Sequence, residues 1–265
     1  MAAPGTPPSV TGSLSSGDLQ NRIVGSYFIM RAGIGIIGIG FPLLLLLGGL
    51  TEGICPQNSM SAYYHALGPH LGSMRNWFVG LLFMIAISLG LYRGFSVVED
   101  LVLDAAAVLG VCVALFPMAW EPTKEACPGS TVSVPGATLF GLSMHLTCAI
   151  AFFLCIAFVC WFCADDTLPL IADPARRGYY RLGYRTIAIL MPVCMLPAWL
   201  VSGAEFWAEA LGVMVFGAYW LLKNKELEET AADKKAFMGR LRLTGGEIEE
   251  LDERGVVVPH DAARP

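Results

Sequence analysis

Charge is scarce in this chain. Lys, Arg, Asp and Glu make up 15% of its 265 residues, against roughly 25% in an average soluble domain, which is too little to coat a globule. Between Ala126 and Ala164 none of the four occurs, and an uncharged, mostly apolar run of that length fits a bilayer span with a loop attached. The scarcity excludes secreted, nucleic-acid-binding and wholly disordered classes together. The apolar runs lack the alternation of barrel strands, which leaves helices as the spanning form. A signal peptide is not expected, because the opening residues have no basic start followed directly by a short apolar core. The spacings His-Glu-x-x-His and His-x-x-x-His, which present imidazoles to one metal ion from a helix face, are also missing.

Hydrophobic residues, by contrast, reach 55%, with 29 Gly and 11 Met. Residues 1–26 open with a Pro-, Gly- and Ser-rich stretch that cannot bury enough surface to offset its ordering entropy, so a disordered cytoplasmic segment is expected there. Residues 27–222 hold six apolar stretches, at 32–50, 77–94, 101–120, 137–163, 186–203 and 205–222, each long enough to cross the hydrocarbon core. The expected fold is therefore all-α, an integral membrane bundle of six transmembrane helices. Residues 223–265 form a tail whose first part, from Lys223, is expected to continue helix six before turning irregular at Thr244-Gly245-Gly246.

Orientation follows from Lys and Arg alone, which accumulate on the cytoplasmic side. Fifteen of the 17 fall on one side of the six-span frame; only Arg75 and Lys124 fall on the other. Both termini are then cytoplasmic, and the chain is expected as a multi-pass protein of the plasma (inner) membrane, with the lipid bilayer as its surroundings. Trp77, Trp120, Trp199 and Trp207 lie near the outer span ends, and Trp161 and Trp220 near the inner ones, where an indole ring is dehydrated while its N–H stays wet.

Gly33, Gly35 and Gly38 match the letters of a dinucleotide-binding fingerprint but lie inside a span, with no strand before them. Close helix contact explains them better, since small residues let backbones approach. Of the eight cysteines, Cys112, Cys148, Cys155, Cys160, Cys163 and Cys194 read as small apolar side chains of the spans. Cys55 and Cys127 fall in outer loops that share an oxidising compartment; a disulfide between them is expected, two free thiols being the alternative.

Ionisable groups in or beside a bilayer are costly, which makes each a candidate for function. His145 lies about eight residues into the fourth span, roughly 12 Å deep at 1.5 Å per residue. Glu205 and Glu209 share one face at the start of the sixth, Glu121 borders the third, and the loop between spans one and two supplies Ser61, Tyr64, His65 and His70. Together these outline a ligand-binding or proton-relay site in the outer half, centred on a His145–Glu209 pair. Imidazole and carboxylate also suit zinc with an activated water, with His65, His70 and His145 as ligands. No cofactor is expected on the first reading, zinc on the second. Toward the inner ends, Arg93 and Asp104 are placed to pair.

Ser61-Ala62-Tyr63-Tyr64-His65, Asn76-Trp77-Phe78-Val79-Gly80, Tyr92-Arg93-Gly94-Phe95 and Ala114-Leu115-Phe116-Pro117, with His145 and Phe206-Trp207-Ala208-Glu209, resemble a bacterial family of uncharacterised polytopic membrane proteins, a domain of unknown function. The resemblance covers about residues 59–223 and implies a six-helix bundle without an activity to carry over. A more distant similarity, through Ser61 and His145, is to the membrane hydrolase superfamily of alkaline ceramidases and progestin/adiponectin receptors. That superfamily's paired histidines on the last helix have no counterpart in Phe206–Leu222. The expected function is thus a bundle that binds, senses or transports a lipid or other small molecule, without a nucleic-acid partner. The alternative is a zinc-dependent membrane lipid hydrolase using the outer His and Glu cluster.

Overall fold

The computed structural model describes residues 15–68, 74–121, 133–244, 247–252 and 254–258. Helix α1 (Ser16–Thr51) begins with a capping box, in which Ser15 and Asp18 satisfy each other's backbone N–H groups. It therefore starts well before the expected span: residues 16–26, assigned from composition to a disordered segment, are helical, because the polar residues that suggested disorder include the cap itself. Helices α2 (Met74–Leu91) and α3 (Val97–Leu115) follow. Pro117 stops α3: it has no N–H to offer the carbonyl of Val113, and the last helical bond runs from Phe116 N–H to Cys112 O at 2.9 Å. A two-stranded hairpin, β1 (Thr138–Leu139) with β2 (Leu142–Ser143), turns at Phe140-Gly141, both at positive φ. It occupies the first residues expected in the fourth span.

Helix α4 (Met144–Phe158) continues through one π-helical turn, Val159–Cys163. Asp173 caps α5 (Pro174–Met195), with Pro174 in its first turn. The expected fifth span, 186–203, is interrupted: α5 ends at Met195 and only a short α6 (Pro197–Leu200) follows. Helix α7 (Glu205–Thr230) runs past the span end at 222 into the tail, where helix six was expected to continue, and Ala231 in the left-handed region separates it from α8 (Ala232–Phe237). The tail then forms an antiparallel pair, β3 (Leu241–Thr244), at the end of the stretch expected to be helical, with β4 (Glu247–Glu250), where irregular chain was expected.

Each long helix packs on its neighbour in sequence, and α7 closes the circle by packing on both α5 and α1. The closest approach is between α1 and α7. A Cβ on Gly217 would stand 2.6 Å from the Gly35 carbonyl oxygen, and one on Gly38 would stand 2.9 Å from Gly217 Cα. Glycine at 35, 38 and 217 is thus what allows the backbones to touch, as the small-residue spacing suggested.

Among the described residues, four helices are long and apolar enough to cross a membrane: α1, α2, α4 with its π turn, and α7. Helix α3 carries Glu99, Asp100 and Asp104, and α5 carries Arg176, Arg177, Arg181 and Arg185, which sets those two apart. Large apolar side chains nevertheless face outward around the whole ring, including Leu47 on α1, Leu91 on α2, Leu101 on α3, Phe162 on the π turn and Ile189 on α5. The chain has the surface of a membrane protein. Trp220, expected near an interface, is instead fully buried among Tyr92, Phe216 and Tyr219, because α7 turns that face into the ring.

The two ends of the bundle are closed differently. At one, the loop from Glu52 to Ala66 lies across the helix ends, with Phe206 N–H donating to Asn58 O at 2.8 Å and Met74 N–H to Ala66 O at 3.1 Å. At the other, the tail folds back: Arg31 of α1, buried, donates to Asn224 at 3.1 Å and pairs with Asp233. Arg93 and Asp104 meet there at 3.0 Å, on the surface.

Candidate functional site

The loop end carries the candidate site. A short 3₁₀ helix, Ser61–His65, turns three side chains inward: Ala62, Tyr63 and His65 are buried, Ser61 and Tyr64 partly so. The end of α3 supplies free main-chain carbonyls, since no helical N–H follows to take them. His145, in the first turn of α4, uses one: its Nδ1 lies 2.9 Å from Phe116 O, and its Nε2 lies 2.8 Å from Ser61 Oγ. A carbonyl only accepts, so Nδ1 carries the proton and Nε2 accepts from the Ser61 hydroxyl. The imidazole is held in one tautomer and one orientation.

Glu209, one turn into α7, accepts from the Ser59 hydroxyl at 3.0 and 3.1 Å and from Ser61 N–H at 3.3 Å. The expected direct pair between His145 and Glu209 is therefore replaced by an arrangement through Ser61, whose hydroxyl meets the imidazole and whose main chain meets the carboxylate. The helices bring both residues to one place, but the loop takes the position between them. The sequence alone offers no measure of this, because a loop's path across a bundle carries no period.

Ser61, His145 and Glu209 together border a cavity of about 150 Å³. Its other walls are almost entirely apolar, contributed by Phe41 of α1, Phe78 and Leu82 of α2, Val113 of α3, Phe152 and Phe153 of α4, and Val213 and Phe216 of α7. The three polar groups thus sit at one end of an oily space inside the ring.

The remaining candidates fall outside this cavity. His65 is fully buried, stacked on Trp120 at 5.1 Å, with Nε2–H donating to Met118 O at 3.1 Å. Burial holds its pKa below the usual 6.5, the Met118 carbonyl partly opposing this, and Arg75 and His145 adding to it. Tyr64 lies under the Arg75 guanidinium, 4.3 Å from its ring centre. Glu121 is exposed and accepts from Ser133 at 2.8 Å. Glu205 has one buried carboxylate oxygen without a partner among the described residues. His70 lies outside the described residues. Among those that are described, no group of three or more His, Cys, Asp or Glu is arranged to hold a metal ion, and His65 and His145 each commit a ring nitrogen to a backbone carbonyl. Cys127 also lies outside the described residues, and the six helix cysteines are free thiols.

Sequence reasoning missed Ser59 and Phe116. Ser59 had only its place beside Ser61 to mark it, and Phe116 acts through its main chain, which any residue type possesses. It also passed over Cys160-Trp161-Phe162-Cys163 as a Cys-x-x-Cys spacing; both thiols are buried in the π turn. At the tail end, Lys223 donates to Ala164 O, Thr167 Oγ1 and Glu226 Oε2 at 3.0, 2.7 and 2.8 Å, fully enclosed. Lys223 and Glu226, on the expected continuation of helix six into the tail, are core. No family model, curated protein or solved structure matches the chain.

Proposed function

We propose that this chain is a six-span membrane bundle, both termini cytoplasmic, that binds an amphiphilic small molecule of the lipid class in its outer half. One observation carries the reading: an apolar cavity inside the ring ends at Ser61, His145 and Glu209. Ligand sites are largely apolar with a few placed polar groups, and here the apolar length suits an acyl chain and the polar end a head group. The outward-facing side chains of α3 and α5 support counting both as spans, and the loop-end position of Arg75, against the basic residues of α5 and the tail, supports the orientation. A Cys55–Cys127 disulfide belongs to the same proposal. It would join the loop between α1 and α2 to the segment after α3, both expected in an oxidising compartment.

A photoreactive diazirine fatty acid, incubated with the purified full chain, tests the cavity. Adducts should map to α2, α4 and α7 residues of its wall and fall at least tenfold in Ala149→Trp, which fills the space. Adducts confined to the outward faces and indifferent to that substitution sink the reading. Lys225→Cys should be shielded from an impermeant thiol reagent in intact cells; its labelling there overturns the orientation.

A further inference from the structure

We propose that Ser61 is a nucleophile that His145 activates, and that it takes the acyl group of a long-chain ester lying in the cavity. This rests on the cavity being an amphiphile site and adds chemistry to it. Three features of the geometry point the same way. The hydroxyl and the imidazole stand 2.8 Å apart, within reach for proton transfer. The base is oriented by a third group, the Phe116 carbonyl at 2.9 Å, which fixes the proton on Nδ1 and leaves the Nε2 lone pair for Ser61. Both side chains border the apolar cavity, so an ester carbonyl entering at the head-group end meets the nucleophile while its chain lies among Phe41, Phe78, Phe152 and Phe216.

The chemistry balances with water as the only co-reactant. Ser61 Oγ attacks the ester carbonyl carbon as its proton passes to His145 Nε2. The ester C–O bond then breaks, the leaving oxygen takes that proton from His145, and an alcohol departs, with the acyl group on Ser61. Water, deprotonated by the same Nε2, attacks the acyl carbon, releases a carboxylic acid and restores the serine. Glu209 is a positioning residue: it shares Ser61 N–H, at 3.3 Å, with Ser59 Oγ at 3.0 Å, and holds the Ser59 hydroxyl as well, which fixes the serine's backbone. Because that N–H is taken by Ser59 and Glu209, it is withheld from the developing oxyanion, so turnover is expected to be slow and covalent capture is the sharper readout. The competing account is that a partly buried serine and a buried histidine merely satisfy each other.

The test uses the full chain in detergent with a hexadecyl fluorophosphonate. The expected result is one adduct mapped by peptide mass to Ser61, absent from Ser61→Ala and formed at least about 100-fold more slowly in His145→Gln, the scale of a lost general base. Should Ser61→Ala fail to fold, Ser61→Cys retains the side chain's size and must also lose the fluorophosphonate adduct. The diazirine fatty acid is run on the same samples. Wall adducts from the fatty acid without a Ser61 adduct overturn the nucleophile and leave the binding site standing; absence of both overturns the binding site itself. An adduct at Ser61 whose rate is unchanged in His145→Gln overturns activation by the histidine.

Discussion

The bundle has two polar centres, and they are built on opposite plans. At the tail end, Lys223 is surrounded by three acceptors and Glu226 also receives Thr167 and Tyr184 at 3.0 and 3.2 Å. Tyr92, Tyr219 and Trp220 crowd around, their polar atoms buried without hydrogen-bond partners among the described residues, as is Glu99 Oε1. Everything there is protein against protein. At the loop end, Ser61, His145 and Glu209 each have a partner but also border empty apolar space. A polar group that faces a dense core serves to fix one arrangement of the chain, whereas one that faces a cavity is available to a visitor. Burial alone does not separate the two; the volume next to the group does.

The largest effect should come from breaking the tail-end pair. Lys223→Met leaves the Glu226 carboxylate enclosed and uncompensated, which costs about 3–5 kcal/mol, while Lys223→Met with Glu226→Leu should cost much less than the sum. Thermal unfolding in detergent reads this, and additivity within experimental error would falsify the claim that the two form one unit. The same cycle on His145→Leu and Glu209→Leu should show far weaker coupling, because Ser61 stands between them. Each single loss there should cost about 1–3 kcal/mol, the range for leaving a buried partner unsatisfied. Strong coupling would restore the direct pair that the sequence suggested.

The smallest effect is a pH dependence at the loop end. The folded chain holds His65 below its usual pKa, so the unfolded chain binds that proton more readily. Stability from this source is complete above about pH 6.5, the ordinary histidine value, and declines as pH falls through it toward the folded value. Arg75 and His145 are the charged or titratable neighbours that contribute. Unfolding midpoints from pH 7.5 to 5.5 should fall more steeply for the native chain than for His65→Gln; parallel slopes would remove His65 as the cause.

The legible part of the sequence was what repeats or accumulates. Apolar length announced helices, small residues at 35 and 38 announced a close crossing, and the lone His145 inside a span announced a polar centre. Glu209 was legible for the same reason, as a charge the bilayer would reject. What lacked such a signal was missed. Ser59 is one more loop hydroxyl, the Phe116 carbonyl is invisible in a side-chain alphabet, and the cap at Ser15 was hidden in a composition that resembles disorder.

The sequence by itself determined that the chain must satisfy its backbone within helices and hide a few ionisable groups, because lipid offers neither water nor counterions. Only the tertiary structure decided which groups meet. A loop has no periodicity, so its path over α4 and α7 is set by packing: Tyr63 against Gly49, Asn58 against Phe206. That path puts Ser61 between His145 and Glu209. Likewise, the hydropathy of α7 is nearly blind to its rotation, and it was the contact of Gly217 with Gly35 and Gly38 that turned Trp220 and Lys223 inward and Glu209 toward the cavity.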